Sequence, residues 1–336
     1  WWGYQTPSWK ADHAERAVLI NEAGKPEIYT RRQVGIMCPA ADLYQRKMQD
    51  VMLGMLEDGP VDGTYFDLGG TAGASMCFST EHGHPVGSGS FPVRGKRELM
   101  TDMRRAARRV HPEFIIVMEG NADTYCTAVD GFAIFEENVP LRQALYADYR
   151  RNAGGKRANV ERTPLEAINP AKHFAWGSLI GRLHGHELYR SGTGTFDPAE
   201  IRYYRNLVWH KYVARPWLNL GTLLRPLELE AIEPAEPKLF ARGTLVPSGV
   251  WRAHDGSVAF VFANARRSTP VSFRWSCRAS DYGIPGDGSW RLAELRPDAS
   301  PGERPEPDFT DIGPVREVVE REETLAPGGT HILVAR

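Results

Sequence analysis

The chain alternates short uncharged runs with long amphipathic stretches, and this alternation limits the folds that it can adopt. The runs "GTYF" and "FIIVM" carry no charged residue, whereas a strand with one solvated face would alternate apolar and polar residues. Stretches with apolar residues at helical spacing precede and separate them. Buried strands alternating with helices are typical of a parallel sheet covered by helices, so this part of the chain predicts an α/β domain.

Three helices can be placed from the sequence. The first predicted helix ends at Gly59-Pro60, and its apolar face consists of Tyr44, Met48, Val51, Met52 and Met55. The apolar face of the second consists of Leu99, Met103, Ala106, Ala107 and Val110. The third begins with Asp-Pro-Ala-Glu at residue 197, an N-cap followed by a first-turn proline, and runs to Arg215-Pro216. Residues 141–150 and 173–187 fit either a helix or a strand.

The pattern changes near residue 223. Short alternating runs such as "SVAFVFANA", "TPVSFRWSC" and "THILVAR" follow, separated by turn-forming residues. This spacing predicts an antiparallel β-sandwich and indicates no chemistry. We therefore expect two domains, a barrel-type (β/α) domain at residues 1–222 and a β-sandwich at residues 223–336.

Composition excludes several classes of partner. The net charge is −1, so no overall field attracts nucleic acid or an anionic membrane. No apolar run reaches the roughly 18 residues of a membrane span, and no signal-peptide pattern is visible, which leaves the compartment open. The four cysteines show no CxxC spacing, so we expect buried free thiols rather than a metal site: Cys38, Cys77, Cys126 and Cys277.

Two carboxylates occupy corresponding positions after neighbouring strands. Asp67 follows "TYF" and Glu119 follows "FIIVM", each close to glycine. In a (β/α)₈ barrel the reactive groups lie at the carboxyl ends of the strands, and two facing carboxylates suit cleavage of a glycosidic bond. An apolar strand end favours a protonated Glu119, and glycine amides favour an ionised Asp67. We expect Asp67 to be the nucleophile and Glu119 the general acid/base, with the reverse assignment open.

Two His-Gly-His triplets are candidates for ligand contacts. His82 and His84 lie in a Gly-rich and Ser-rich stretch after the Asp67 strand, and His184 and His186 repeat the spacing. Such pairs can bind a metal, contact substrate hydroxyl groups or form a turn. We favour hydroxyl contacts, predict no metal, and expect Tyr65 to offer a stacking surface for a sugar ring.

The run "MCPA…VDGTYFDLGG…MCFSTEHGHPVGSGS…FIIVMEG…VDGFAIF" resembles a family of largely uncharacterised bacterial glycoside-hydrolase-like proteins. The resemblance implies a (β/α)₈ barrel followed by a C-terminal β-sandwich. More distantly, the order of Asp and Glu is similar to retaining glycosidases of the α-amylase and endo-α-N-acetylgalactosaminidase kind. It implies attack by Asp67 and proton transfer by Glu119, and it makes Asp130 or Asp148 a candidate third acid.

The chain departs from this pattern at its start. If Asp67 ends strand four, residues 1–62 are too few for three complete strand-helix units. We therefore expect a barrel without its first strands, which a longer parent chain would supply. The predicted function is a retaining glycoside hydrolase acting on an oligosaccharide or glycoconjugate without a cofactor. The alternatives are a metal-dependent hydrolase that uses the His-Gly-His pairs and a non-catalytic carbohydrate-binding protein.

Overall fold

The chain folds into two compact units. The computed structural model describes residues 1–67, 75–87, 89, 91–120, 122–134, 140–147, 151–154, 168–180, 198–231, 245–266, 269–298 and 303–336. Contacts between Cα atoms separate unit 1, Trp1–Ala133, from unit 2, Ile134–Arg336. The domain boundary predicted at residue 222 stays a prediction.

Unit 1 begins with a small antiparallel sheet. Its strand order is β1 (Trp2–Gly3), β3 (Val34–Gly35) and β2 (Ile28–Tyr29), and helix α1 (Pro7–Ala11) follows β1. A core lies beside this sheet and includes Trp2, Val18, Leu19, Met37, Cys38 and Cys77. Cys38 and Cys77 are both buried in this core and form no disulfide.

Three parallel strands and two long helices form the rest of unit 1. The strands are β4 (Gly63–Phe66), β5 (Ile115–Glu119) and β6 (Gly131–Ile134), and β5 pairs with both neighbours. Helix α2 (Asp42–Asp58) precedes β4, and helix α3 (Phe91–Val110) precedes β5. The predicted strand-helix alternation is confirmed here.

Both long helices follow from their apolar spacing. Helix α2 ends before Gly59, where the following Pro60 would disrupt a continued helix. Helix α3 buries Leu99, Met103 and Ala107, whereas Val110 at its end is exposed. The stripe predicted for α3 is thus correct except at the last turn, whereas Val51 of the stripe predicted for α2 is exposed.

Unit 2 starts with several short elements and one longer helix. They are α4 (Leu141–Tyr146), β7 (Arg151–Gly154), α5 (Ile168–Ala175), β8 (Leu179–Ile180), α6 (Pro198–Val213) and α7 (Arg215–Leu218). The ambiguous stretch from residue 141 begins as a helix, and β7 and β8 pair in parallel. Pro198 opens α6, as predicted.

Two antiparallel sheets make up the remainder of unit 2. The larger has the order β15 (Glu306–Arg316), β14 (Asp287–Asp298), β17 (Thr330–Ala335), β12 (Val258–Ala263), β11 (Ser248–Arg252) and β9 (Thr222–Leu223). The smaller has the order β10 (Glu228–Ala231), β13 (Val271–Arg278) and β16 (Val318–Leu325).

Aromatic rings join the two antiparallel sheets. The rings of Phe260 and Trp275 have centroids 5.2 Å apart, and those of Phe262 and Phe273 are 5.1 Å apart. All four side chains are buried. The predicted change from parallel α/β structure to antiparallel β structure is therefore confirmed. Within the described ranges the parallel strands do not close into a barrel, and no helix there is long and apolar enough to cross a membrane.

Candidate functional site

Asp67 and Glu119 follow paired positions of neighbouring strands at the carboxyl end of the parallel sheet. Tyr65 pairs with Val117 and Phe66 with Met118, so the next residue of each chain segment is one of the two carboxylates. Adjacent strands are about 4.8 Å apart. Both residues therefore come directly after the same pair of hydrogen-bonded positions, at the carboxyl ends of β4 and β5.

The two carboxylates have different surroundings. Glu119 is 7 % exposed, whereas Asp67 is exposed. Gly120, at φ +87°, follows Glu119 and donates its amide to the Ala133 carbonyl at 3.0 Å. This positive φ turns the chain directly after Glu119 and suits glycine. The pair thus combines one enclosed and one solvated carboxylate, which is the asymmetry that an acid and a nucleophile need.

A cavity of about 420 Å³ lies on unit 1 and includes Asp67 in its wall. Tyr65 also lines it, and this aromatic ring is 40 % exposed. Most of the remaining wall is apolar and rich in methionine: Met37, Met48, Met52, Met55, Met100 and Met103. The exposed carboxylate therefore stands at the border of an apolar recess.

Two polar side chains in the cavity wall were not predicted. Burial lowers the pKa of the Lys96 ammonium group, whose Nζ lies 5.9 Å from the centre of the Tyr125 ring. Burial also raises the pKa of Tyr44 to about 12. Lys96 shares a helical face with Leu99, Met100 and Met103. A lysine on an otherwise apolar helical face is the sequence feature from which this residue could have been predicted as part of a site.

The histidines of the first triplet contact cysteines instead of the cavity. His82 Nδ1 lies 3.3 Å from Cys77 Sγ, and His84 Nε2 lies 3.4 Å from Cys38 Sγ. The four ligand atoms all lie within 4.8 Å of one another. We call these residues the Cys–His cluster: Cys38, Cys77, His82 and His84.

Sequence spacing did not predict the Cys–His cluster. Cys38 precedes α2, whereas the other three members lie in the loop after β4. Neither histidine is among the described residues that line the cavity, and their predicted contacts with sugar hydroxyl groups stay a prediction. The signal that could have found the cluster was the pairing of two cysteines with one His-Gly-His triplet.

Asp130 lies at the amino ends of the parallel strands, opposite the carboxyl ends where Glu119 lies. One carboxylate oxygen accepts bonds from Arg108 at 3.0 Å and Arg104 at 3.4 Å, and the other accepts the Ile116 amide at 2.9 Å. These bonds join the end of α3 to the start of β5. Asp130 therefore has a structural role in these contacts, and its predicted role as a third acid stays a prediction.

The other predicted contacts cannot be placed. Asp148, His184 and His186 lie outside the described residues. Their assignment as substrate contacts stays a prediction.

Comparisons with known proteins agree with the glycoside-hydrolase resemblance. A family described as "Domain of unknown function (DUF6259)" matches residues 1–156. A protein of Bacteroides thetaiotaomicron named "Putative glycoside hydrolase" is 26 % identical over 157 residues, 44 % of this chain and 23 % of that protein. The chain resembles a glycoside-hydrolase-like family. The resemblance drawn from the sequence motifs is thereby confirmed.

A second relative and a solved structure extend this likeness. "Putative glycoside hydrolase 22789" of Monosiga brevicollis is 24 % identical over 260 residues, 66 % of this chain and 21 % of that protein. The α-amylase of Geobacillus thermoleovorans, solved with acarbose, matches 99 % of this chain and 75 % of its own at 11 % identity and TM-score 0.56. That last likeness is one of fold alone. The chain spans less than a quarter of each curated relative.

Proposed function

We propose that this chain carries the paired carboxylates of a retaining glycoside hydrolase acting on an oligosaccharide or glycoconjugate. The observation that carries the proposal is the placement of Asp67 and Glu119 directly after paired positions of adjacent parallel strands. Retaining enzymes hold their two carboxyl groups about 5–5.5 Å apart, and backbones about 4.8 Å apart on adjacent strands are compatible with such a separation. Inverting enzymes need about 6.5–9.5 Å to admit a water molecule.

The surroundings of the two carboxylates support distinct roles. The exposed Asp67 attacks the anomeric carbon while the glycosidic C–O bond breaks, and Glu119 gives its proton to the leaving oxygen. Glu119 then takes a proton from water, whose oxygen displaces Asp67 from the glycosyl ester. Tyr65, half exposed in the same cavity wall, offers a face on which a sugar ring stacks.

The proposal includes the architecture that this chemistry requires. We place the α/β part in a (β/α)₈ barrel, followed from residue 223 by a β-sandwich. Supporting this placement are the parallel strands of unit 1 and the fold likeness to an α-amylase. Because the curated relatives are more than four times as long as the matched segments, a longer parent chain supplies the remaining strands in this proposal.

The test uses the full-length protein and a panel of aryl α- and β-glycosides. Asp67→Asn should abolish turnover, and Glu119→Gln should lower it about 10²–10⁴-fold. Asp50→Asn and Glu57→Gln remove exposed carboxylates of α2 and serve as matched controls. Activated aryl leaving groups and added azide should partly rescue the Glu119 variant, because neither the departure of such a group nor attack by azide needs the missing acid/base.

Two results would contradict the proposal. Unchanged turnover in Asp67→Asn removes this residue from the mechanism, and a product of inverted configuration removes the double displacement. Glycan binding without turnover of any substrate would instead indicate the non-catalytic carbohydrate-binding alternative.

A further inference from the structure

The Cys–His cluster has the composition and size of a tetrahedral metal site. Two of its sulfur-to-nitrogen distances are 3.3 and 3.4 Å, and no pair of its ligand atoms is more than 4.8 Å apart. Zinc bonds of about 2.3 Å to sulfur and 2.0–2.1 Å to nitrogen place neighbouring tetrahedral ligands about 3.5 Å apart. These two contacts therefore differ from the zinc spacing by only a few tenths of an ångström, and a pair as far apart as 4.8 Å would have to close by about 1 Å to surround such an ion.

Each histidine ring is held through the nitrogen that does not face a cysteine. His82 Nε2 lies 2.8 Å from the Arg16 carbonyl oxygen, and His84 Nδ1 lies 3.0 Å from that of Pro85. A carbonyl accepts only a protonated nitrogen, so in the neutral ring the nitrogen facing the cluster keeps its lone pair. Metal-binding histidines are oriented in this way by their outer hydrogen bonds.

The backbone around the cluster is fixed by further contacts. Cys38 donates its amide to the Ala17 carbonyl at 2.8 Å, and the Cys77 carbonyl accepts the Gly87 amide at 2.8 Å. Gly83 separates the two histidines at φ +70°, a conformation that lets both rings turn toward one point and that other residues rarely adopt. Cys38, Cys77 and His82 are buried, so the site is enclosed by protein.

We infer that the Cys–His cluster binds one Zn²⁺ ion as a structural site. Two thiolates and two imidazoles in tetrahedral arrangement are a typical zinc ligand set. Four protein ligands leave no position for a reactive water molecule, which separates this site from the three-ligand sites of zinc hydrolases. The ion is therefore not part of the proposed glycosidic chemistry.

The ion joins two segments that border the cavity. Cys38 lies between Met37 and Pro39, and Cys77 lies two residues after Ser75; these three neighbours line the cavity that includes Asp67. A bond from each cysteine to one ion holds both stretches of the wall together. Because the unfolded chain lacks this site, binding of the ion also stabilises the folded state relative to the unfolded state.

The first test measures metal in the purified protein. We expect one equivalent of zinc per chain after dialysis, and removal of zinc should lower the midpoint of thermal unfolding. Cobalt added to the apoprotein should give thiolate-to-metal charge-transfer bands and the d–d bands of a tetrahedral site. Zinc far below one equivalent in zinc-replete preparations, together with no cobalt-thiolate bands, would overturn the inference.

Matched variants separate the cluster from other thiols and imidazoles. Cys77→Ser and His84→Gln should lower zinc to background, whereas Cys277→Ser and His254→Gln should retain one equivalent. Zinc content unchanged in Cys77→Ser would contradict the assignment. A chelator should also expose two further thiols to a thiol reagent in the wild-type protein, a readout that does not depend on whether a variant folds.

A disulfide is the competing chemistry for the two cysteines. Oxidation of Cys38 and Cys77 to a disulfide would remove two hydrogens and prevent zinc binding. A mass lower by two hydrogens, mapped to a peptide pair linking these residues under non-reducing conditions, would overturn the zinc site.

Discussion

Asn264 shows how much one buried side chain can organise in unit 2. Its amide nitrogen donates to the carbonyl oxygens of Thr269 and Ala326, both at 2.9 Å, and its amide oxygen accepts the Arg266 amide at 2.8 Å. The side chain is fully buried. Removing the amide would take one hydrogen-bond partner from each of these backbone groups, of which the Ala326 carbonyl keeps the Gly329 amide at 2.8 Å.

We expect Asn264→Ala to lower the free energy of unfolding by about 2–3 kcal/mol, the cost of leaving buried backbone groups without partners. Asn206→Ala is the comparator, since its amide makes two longer bonds of 3.3 Å to Gly328 and Thr330 in a half-buried position. It should cost about 1 kcal/mol or less. Chemical denaturation of both variants measures the difference, and equal losses would contradict this ranking.

The residues of the candidate site were predictable to different degrees. The positions of Asp67 and Glu119 could be predicted because each follows an apolar strand within a few residues. The partner of His84 could not, since Cys38 lies 46 residues away and only the folded chain brings the two together. The role of Asp130 was also hidden, because its arginine partners lie on another element.

Elements with long apolar stripes were predicted from the sequence, and short ones were not. Helices α2 and α3 repeat apolar residues over several turns, so the local pattern determines them. Strand β8 has two residues, too few to show any period. Residues 141–146 fitted two structures, and the α-helix seen there was not distinguishable by spacing alone.

Two glycines in different elements should respond oppositely to an added methyl group. A Cβ on Gly249 of β11 would lie 2.3 Å from the Ala175 carbonyl oxygen of α5, whereas a Cβ on Gly54 of α2 meets no described atom within 4 Å. Gly249→Ala should therefore destabilise the protein by about 1–3 kcal/mol through overpacking. Gly54→Ala should stabilise it by about 0.5–1 kcal/mol, because alanine favours the helix.

Thermal and chemical unfolding of both variants check this pair. Gly249 in β11 also approaches the Trp251 indole nitrogen, 2.9 Å from the same ideal Cβ position. Trp251 donates to the Ala175 carbonyl at 2.9 Å, so its fluorescence should change in Gly249→Ala. A neutral Gly249→Ala variant would mean that β11 and α5 can separate without cost.

At the scale of the whole molecule, the sequence correctly predicted that parallel α/β structure precedes antiparallel sheets. Its apolar pattern alone did not predict whether the parallel strands close into a barrel. Residues 1–133 carry parallel strands with helices, and the chain after residue 222 forms antiparallel sheets. Whether a parallel sheet closes into a barrel depends on pairing between strands that are distant in the sequence, and a local apolar pattern does not report such pairing.

Acid should destabilise the folded chain through buried histidine. Burial, with Lys172 and Lys211 nearby, lowers the pKa of His173 to about 4, against about 6.5 in an unfolded chain. The unfolded state therefore takes up the proton first, so stability is complete above about pH 6.5 and is lost as the pH falls toward 4. Burial lowers the pKa of His210 in the same direction.

Denaturation at pH 7.5 and pH 5 measures this effect. Wild-type protein should lose about 2 kcal/mol more than His173→Gln between these conditions, from a difference of about 1.5 pH units at 1.36 kcal/mol each. His254→Gln, at an exposed position, should follow the wild type. Parallel pH profiles of stability for His173→Gln and wild type would contradict this prediction, because they would mean that the pKa of His173 is the same in the folded and unfolded states.

The cavity wall also has a redox consequence. Six of the eight methionines in the chain line it, contributed mainly by α2 and α3. Conversion of a thioether to a sulfoxide adds a polar oxygen to a flexible apolar side chain. Oxidation of these methionines by peroxide would therefore make the apolar cavity beside Asp67 more polar and more hydrated. Methionine sulfoxide reductases would be the enzymes able to reverse this oxidation.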